Sequence, residues 1–133
     1  MPCPYFEPQG RSRKSLGNAR LPLIDEYEGM CHARAGQPVA VPADMLAGPC
    51  THGYSRGTCS QYPADTKAAA MRYSVVRQTE EVLDLVCIEE AGYAPVRWHA
   101  LQYGKVTGLL APEVVGDCIK AQAIAFCRSY LGC

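Results

Sequence analysis

The chain has 133 residues, 48% of them hydrophobic and 20% charged, which suits one domain, 1–133, with one modest core. Its 13 Lys and Arg offset 13 Asp and Glu, so it lacks the basic surplus of a dedicated nucleic-acid binder. No apolar run approaches bilayer length, and the leading Met-Pro-Cys-Pro-Tyr-Phe-Glu lacks the basic head and apolar stretch of a signal peptide, so no membrane partner and a cytoplasmic location are expected.

Residues 1–65 are crowded with prolines, at 2, 4, 8, 22, 38, 42, 49 and 63, and these interrupt almost every periodic run. The segment predicts a loop-rich lobe with one short helical turn over 42–47, stopped by Gly48 and Pro49. A lobe of this kind needs an internal staple. Cys3, Cys31, Cys50 and Cys59 all fall in it, each with a Gly or Pro within two residues. Thiols set in stiff or sharply turning backbone suit a loop that wraps a metal. The chain holds 8 Cys, and in a reducing compartment that number favours metal or redox chemistry. The even count keeps a disulfide framework open.

Residues 66–133 read conventionally. Over 70–78, Met71, Tyr73 and Val75 alternate with Arg72 and Ser74, which predicts a strand. Over 81–90, Leu83, Leu85 and Cys87 face one way and Val82, Val86 and Ile88 the other, the pattern of a central strand. A turn at 91–95 leads to a returning strand over 96–103, with Val96, Trp98 and Ala100 opposite His99 and Leu101. Residues 104–108 end it. A helix is expected from Pro112, with Val115, Ile119, Ala123, Phe126 and Tyr130 forming its apolar face and Gly132 closing it. The fold class is α+β: a loop-rich N-terminal cysteine lobe (1–65) packed on a three-stranded antiparallel sheet with a C-terminal helix (66–133).

The four N-terminal cysteines are separated by 27, 18 and 8 residues. None of these gaps is the two-residue knuckle of structural zinc sites. Iron–sulfur clusters accept more varied spacing, because four thiolates need only reach the corners of a larger object. The leading expectation is therefore a [4Fe-4S] cluster on Cys3, Cys31, Cys50 and Cys59. The loop Cys-Thr-His-Gly-Tyr-Ser-Arg-Gly-Thr-Cys carries two glycines whose amides can reach cluster sulfides. Zinc on the same residues is the alternative, with His52 as alternate ligand; a zinc-stapled module would hold a protein or RNA. Plain buried thiols are the bland reading. A third class is a thiol enzyme using Cys50 or Cys59 with His52 as base.

His32 adjoins Cys31 and is expected to be exposed or a supporting donor. His99 reads as a sheet-face residue. Cys87 reads as core, and Cys118, Cys127 and Cys133 as structural or incidental. Cys118 and Cys127 lie nine residues apart, half a turn out of phase on a regular helix, and cannot share an ion there. Tyr5, Phe6, Tyr27, Tyr54 and Tyr62 are expected to shield the site. Asp25, Glu26 and Glu28 offer catalytic carboxylates or a docking face for a basic partner, although a solvated loop is the default for them. The basic stretch from Gly10 to Gly17 lacks P-loop spacing and reads as a solvated loop.

Three stretches carry a resemblance: Cys-Pro-Tyr-Phe-Glu-Pro, Leu-Pro-Leu-Ile-Asp-Glu-Tyr-Glu-Gly-Met-Cys-His, and the Cys50 to Cys59 loop followed by Tyr62-Pro63. With the strand at Ala70-Met-Arg-Tyr-Ser-Val, they resemble a family of small uncharacterised bacterial cysteine-rich proteins. The resemblance implies that Cys3, Cys31, Cys50 and Cys59 act together. It supplies no activity and no catalytic residue, and Cys118, Cys127 and Cys133 depart from it. The expected role is electron transfer or redox sensing, as an accessory to a larger enzyme rather than as an enzyme by itself, with a protein redox partner. The residues carry no reading of oligomeric state.

Overall fold

The computed structural model describes residues 3–11, 27–34, 36–42, 50, 59, 62–63, 70–92, 94–111 and 116–132. Three strands form where the prolines argued for loop. β1 (Phe6–Arg11) pairs antiparallel with β2 (Tyr27–Cys31), and β2 with β3 (Val39–Ala40). The order β1-β2-β3 leaves β1 at an edge. Pro8 is tolerated there because an edge strand needs fewer ladder donors, and the register slips between Pro8 and Gly10. Pro38 stops immediately before β3. The loop-rich lobe is therefore corrected to a small sheet that carries loops. The expected helical turn over 42–47 lies outside the described residues apart from Pro42.

Gly29 sits on β2 opposite Pro8. A Cβ there would run into the Glu7 carbonyl oxygen and stand 2.8 Å from the Phe6 ring. The glycine is thus needed for strand packing, not for turning a ligand loop. Cys31 ends β2.

The second sheet contains the three expected strands, β4 (Ala70–Gln78), β5 (Val82–Ala91) and β6 (Ala94–Gly104), plus a short fourth, β7 (Leu110–Ala111). Its order is β4-β5-β6-β7, antiparallel throughout. This corrects the three-stranded expectation; two residues are too few to show a period of 2. Met71, Tyr73, Leu83, Leu85, Cys87, Leu101, Tyr103 and Leu110 fill the inner face. Each large apolar side chain fully buried there is worth ~1.5–3 kcal/mol. β5 is central as expected. Its second face is only half-buried at Val82, Val86 and Ile88, and Val76, Val96 and Trp98 are exposed.

Helix α1 (Asp117–Leu131) begins after Gly116, whose extended backbone (ψ 161) cannot continue a helix toward Pro112. Asp117 complements the positive end of the helix. Gly132, at φ 76, closes it, its N–H reaching the carbonyls of Arg128 and Ser129. The buried residues are Gln122, Ala123, Ala125, Phe126, Cys127 and Ser129, an arc of roughly 200° at 100° per residue. The expected stripe holds at Ala123 and Phe126, while Tyr130 is 42% exposed. The arc is wide because α1 meets both sheets. Phe126 lies 5.5 Å from the Tyr73 ring, and Tyr27 of β2 bonds to Ser129. One hydrophobic cluster draws on both sheets and the helix. Among the described residues, no helix is long and apolar enough to cross a membrane.

Candidate metal centre

The Cys3 N–H donates to the Cys50 carbonyl (3.0 Å), and the Phe6 N–H donates to the Cys3 carbonyl (3.1 Å). Cys3 therefore sits in a tight turn that leads into β1 and is stitched to the Cys50 segment. Phe6 pairs with Cys31 across the β1–β2 ladder, which brings the end of β2 beside that turn. The Tyr62 N–H donates to the Cys59 carbonyl (3.2 Å), and the Tyr62 ring meets the Tyr5 ring edge to face at 5.7 Å. The Cys59 turn is tied in this way to the turn after Cys3.

Cys3 is buried, and Cys31, Cys50 and Cys59 are half-buried. Burial pushes the Cys50 thiol up to about 12, and repulsion from the Cys3, Cys31 and Cys59 thiols adds to the shift. The four side chains share one electrostatic neighbourhood. Among the described residues, no three of their sulfurs fall within 4.8 Å of one another. A tetrahedral tetrathiolate zinc site, with Zn–S bonds of about 2.3 Å, needs sulfurs about 3.8 Å apart. No disulfide joins two of the described cysteines.

A buried clamp from the helix holds the Cys3 turn. The Gln122 amide donates to the Cys3 carbonyl and to the Phe6 carbonyl, both at 2.6 Å. Its Oε1 accepts from the Tyr73 hydroxyl at 2.8 Å. Burial, and after it the neighbouring Cys87, push the Tyr73 phenol well above its usual range, which keeps the hydroxyl a donor. Sequence reading missed Gln122, because a polar residue on an apolar helix face reads as its solvent edge. The Tyr27 hydroxyl shares a 2.5 Å hydrogen bond with Ser129 and also donates to the Ala125 carbonyl (3.3 Å).

Cys87 and Cys127 are fully buried, and burial pushes each up to about 12, the behaviour of core thiols. Cys118 is different. It is half-buried in the first turn of α1, and its thiol is pushed up to about 11 by burial first and then by Glu7, Cys3, Asp117 and Cys31. His32 is not simply exposed: its Nε2 lies 2.5 Å from Glu7 Oε2. His99 stands on the sheet face, 3.8 Å from Glu89. His52, Tyr54, Asp25, Glu26, Cys133 and most of the basic stretch lie outside the described residues. A pocket of about 220 Å³ opens beside Cys31, lined by Ala33, Arg34 and Val39. Two larger open hollows, of about 490 and 450 Å³, lie on the four-stranded sheet and are lined by neither cysteine nor histidine.

No protein-family model matches the chain, and neither a curated protein nor a solved structure matches it. Residue roles therefore rest on the geometry of this chain alone.

Proposed function

We propose that the chain binds one iron–sulfur cluster, of the [4Fe-4S] type, through Cys3, Cys31, Cys50 and Cys59, and that it transfers or senses single electrons. The observation that carries this reading is the grouping of the four thiols around Cys50, a position whose burial and like-charged neighbours disfavour free thiolates. Iron relieves that repulsion by binding the thiolates directly. Four thiolates need only reach the corners of a multi-iron cube, which asks less of their spacing than a single zinc ion does. The half-buried setting and the Tyr5–Tyr62 ring pair support a site partly screened from water, and such screening tunes potential and lability.

When bound, the cluster supplies one-electron redox chemistry. The residues of the chain hold it: the Cys3–Cys50 backbone bond and the Gln122 clamp fix one ligand turn, and β2 presents Cys31. A carrier of this kind works with a protein redox partner and acts as an accessory to a larger enzyme in the reducing cytoplasm. The third reading, thiol catalysis by Cys50 or Cys59 with His52, draws no support at Cys50, where burial pushes the thiol up to about 12.

Anaerobically purified protein should be brown, with broad absorption near the visible–ultraviolet boundary that bleaches on reduction. Cys50→Ser should lose most of that colour. A colourless wild-type preparation from anaerobic cells contradicts the reading.

A further inference from the structure

Beside the four thiols, the same end of β1 and β2 carries a second donor set that sequence spacing did not reveal. Glu7 lies on β1, His32 follows the last residue of β2, and Cys118 occupies the first turn of α1. One ligand atom from each lies within 4.8 Å of the other two. We propose that Glu7, His32 and Cys118 bind one zinc-type divalent cation at a site separate from the four-thiol centre.

Three features support this. The donor types are right: one carboxylate oxygen, one imidazole nitrogen and one sulfur form a mixed set that a borderline cation such as Zn²⁺ accepts. The distances are close: bonds of about 2.0–2.3 Å in a tetrahedron put donors about 3.3–3.6 Å apart, so small rotations of side chains already converging within 4.8 Å complete the set. The positions are held by backbone: the His32 N–H donates to the Tyr5 carbonyl (2.9 Å), Glu7 pairs with Met30 in the ladder, and the Cys118 thiol lies 3.7 Å from the same Tyr5 carbonyl. The His32–Glu7 contact and the hydrogen bond from the Cys118 thiol to the Tyr5 carbonyl already hold the three side chains side by side.

The His32 and Glu7 side chains are 33% and 30% exposed, so an ion can enter without unfolding the sheet. One carboxylate and one thiolate neutralise a divalent ion. Three protein ligands leave a fourth position for water or a small ligand, the arrangement found in catalytic zinc sites rather than closed structural ones.

Cobalt(II) titration of the metal-free full chain, kept anaerobic, tests the assignment, since Co²⁺ reports its ligands by colour. The chain with Cys50→Ser disrupts the four-thiol set and leaves the second one intact. That chain should bind one Co²⁺ with the sulfur-to-metal band of a single thiolate. Adding Cys118→Ser should abolish the band, and adding His32→Ala or the near-isosteric Glu7→Gln should weaken binding more than about tenfold, with the folded far-ultraviolet spectrum retained. Cobalt binding that ignores both Cys118→Ser and Glu7→Gln overturns the proposal, as does a folded Cys50→Ser chain that takes up no cobalt. If Cys50→Ser does not fold, the wild-type chain decides the matter: its cobalt spectrum must lose one thiolate's intensity on Cys118→Ser, and an unchanged spectrum overturns the assignment. Failure of the cluster reading looks different, as absent iron with the Cys118-dependent cobalt band still in place.

Discussion

Gly29 shows how one missing side chain sets the position of a candidate ligand. Its bare Cα lets the Glu7 carbonyl and the Phe6 ring close onto β2, and Cys31 lies two residues further along the same strand. Gly29→Ala should therefore destabilise the fold by about 1–3 kcal/mol, as overpacking does, and should also lower metal content, because β1 must shift away from β2. Urea melts and metal analysis on the same sample check both, and a variant with unchanged stability and loading contradicts this account of the β1–β2 contact. At this scale the sequence was legible for Cys87, whose alternation with Leu83 and Leu85 placed it in the core. It was opaque for Cys118, since nothing in the spacing of residues 7, 32 and 118 shows that they meet. That juxtaposition depends on the β1–β2 register and on where α1 crosses it.

Helix α1 makes two buried polar contacts with the N-terminal sheet and the turn that leads into it, and they differ in what they hold. Gln122 clamps the Cys3 turn, whereas Tyr27 and Ser129 anchor β2 further along the helix. Gln122→Leu leaves the Cys3 and Phe6 carbonyls without their side-chain donor and should cost about 2–4 kcal/mol, with a marked fall in metal loading. Tyr27→Phe should cost about 1 kcal/mol and leave loading nearly unchanged. Equal loading in the two variants, measured by metal analysis after anaerobic reconstitution, contradicts the clamp. Element by element, period-2 alternation located β4 to the residue and β5 and β6 to within a few. The N-terminal sheet stayed hidden because Pro8 and Pro38 break the pattern that would announce it, and they are accommodated only through an edge, a bulge and a strand start. Gln122 and Ser129 disguised the buried arc of the helix, for a polar side chain belongs inside only when its partners are there, and those partners are distant in sequence.

Across the whole molecule, the buried thiols make stability depend on pH in a defined window. Cys87 and Cys127 are pushed from 9.0 up to about 12, both chiefly by burial. Below about pH 9 both states keep these protons and stability is unaffected. Above it the unfolded chain ionises while the folded chain does not, so stability falls as pH rises toward about 12, by about 1.4 kcal/mol per pH unit for each thiol. Denaturant melts of metal-free protein between pH 8 and 11 should show this decline, and Cys127→Ala should show a shallower one; parallel slopes contradict the assignment. Metal acts on the same balance from the other side, because an ion or cluster that binds only the folded lobe raises its melting temperature. The proposed centre has sulfurs from β2, from the turns at Cys3 and Cys59 and from Cys50 holding several irons together. Its most direct test is the iron, acid-labile sulfide and zinc content of protein purified without oxygen. About four irons and four sulfides per chain, lost together in Cys50→Ser, is the predicted result. Zinc without sulfide at the four cysteines, or four thiols that all react freely with no metal present, contradicts it.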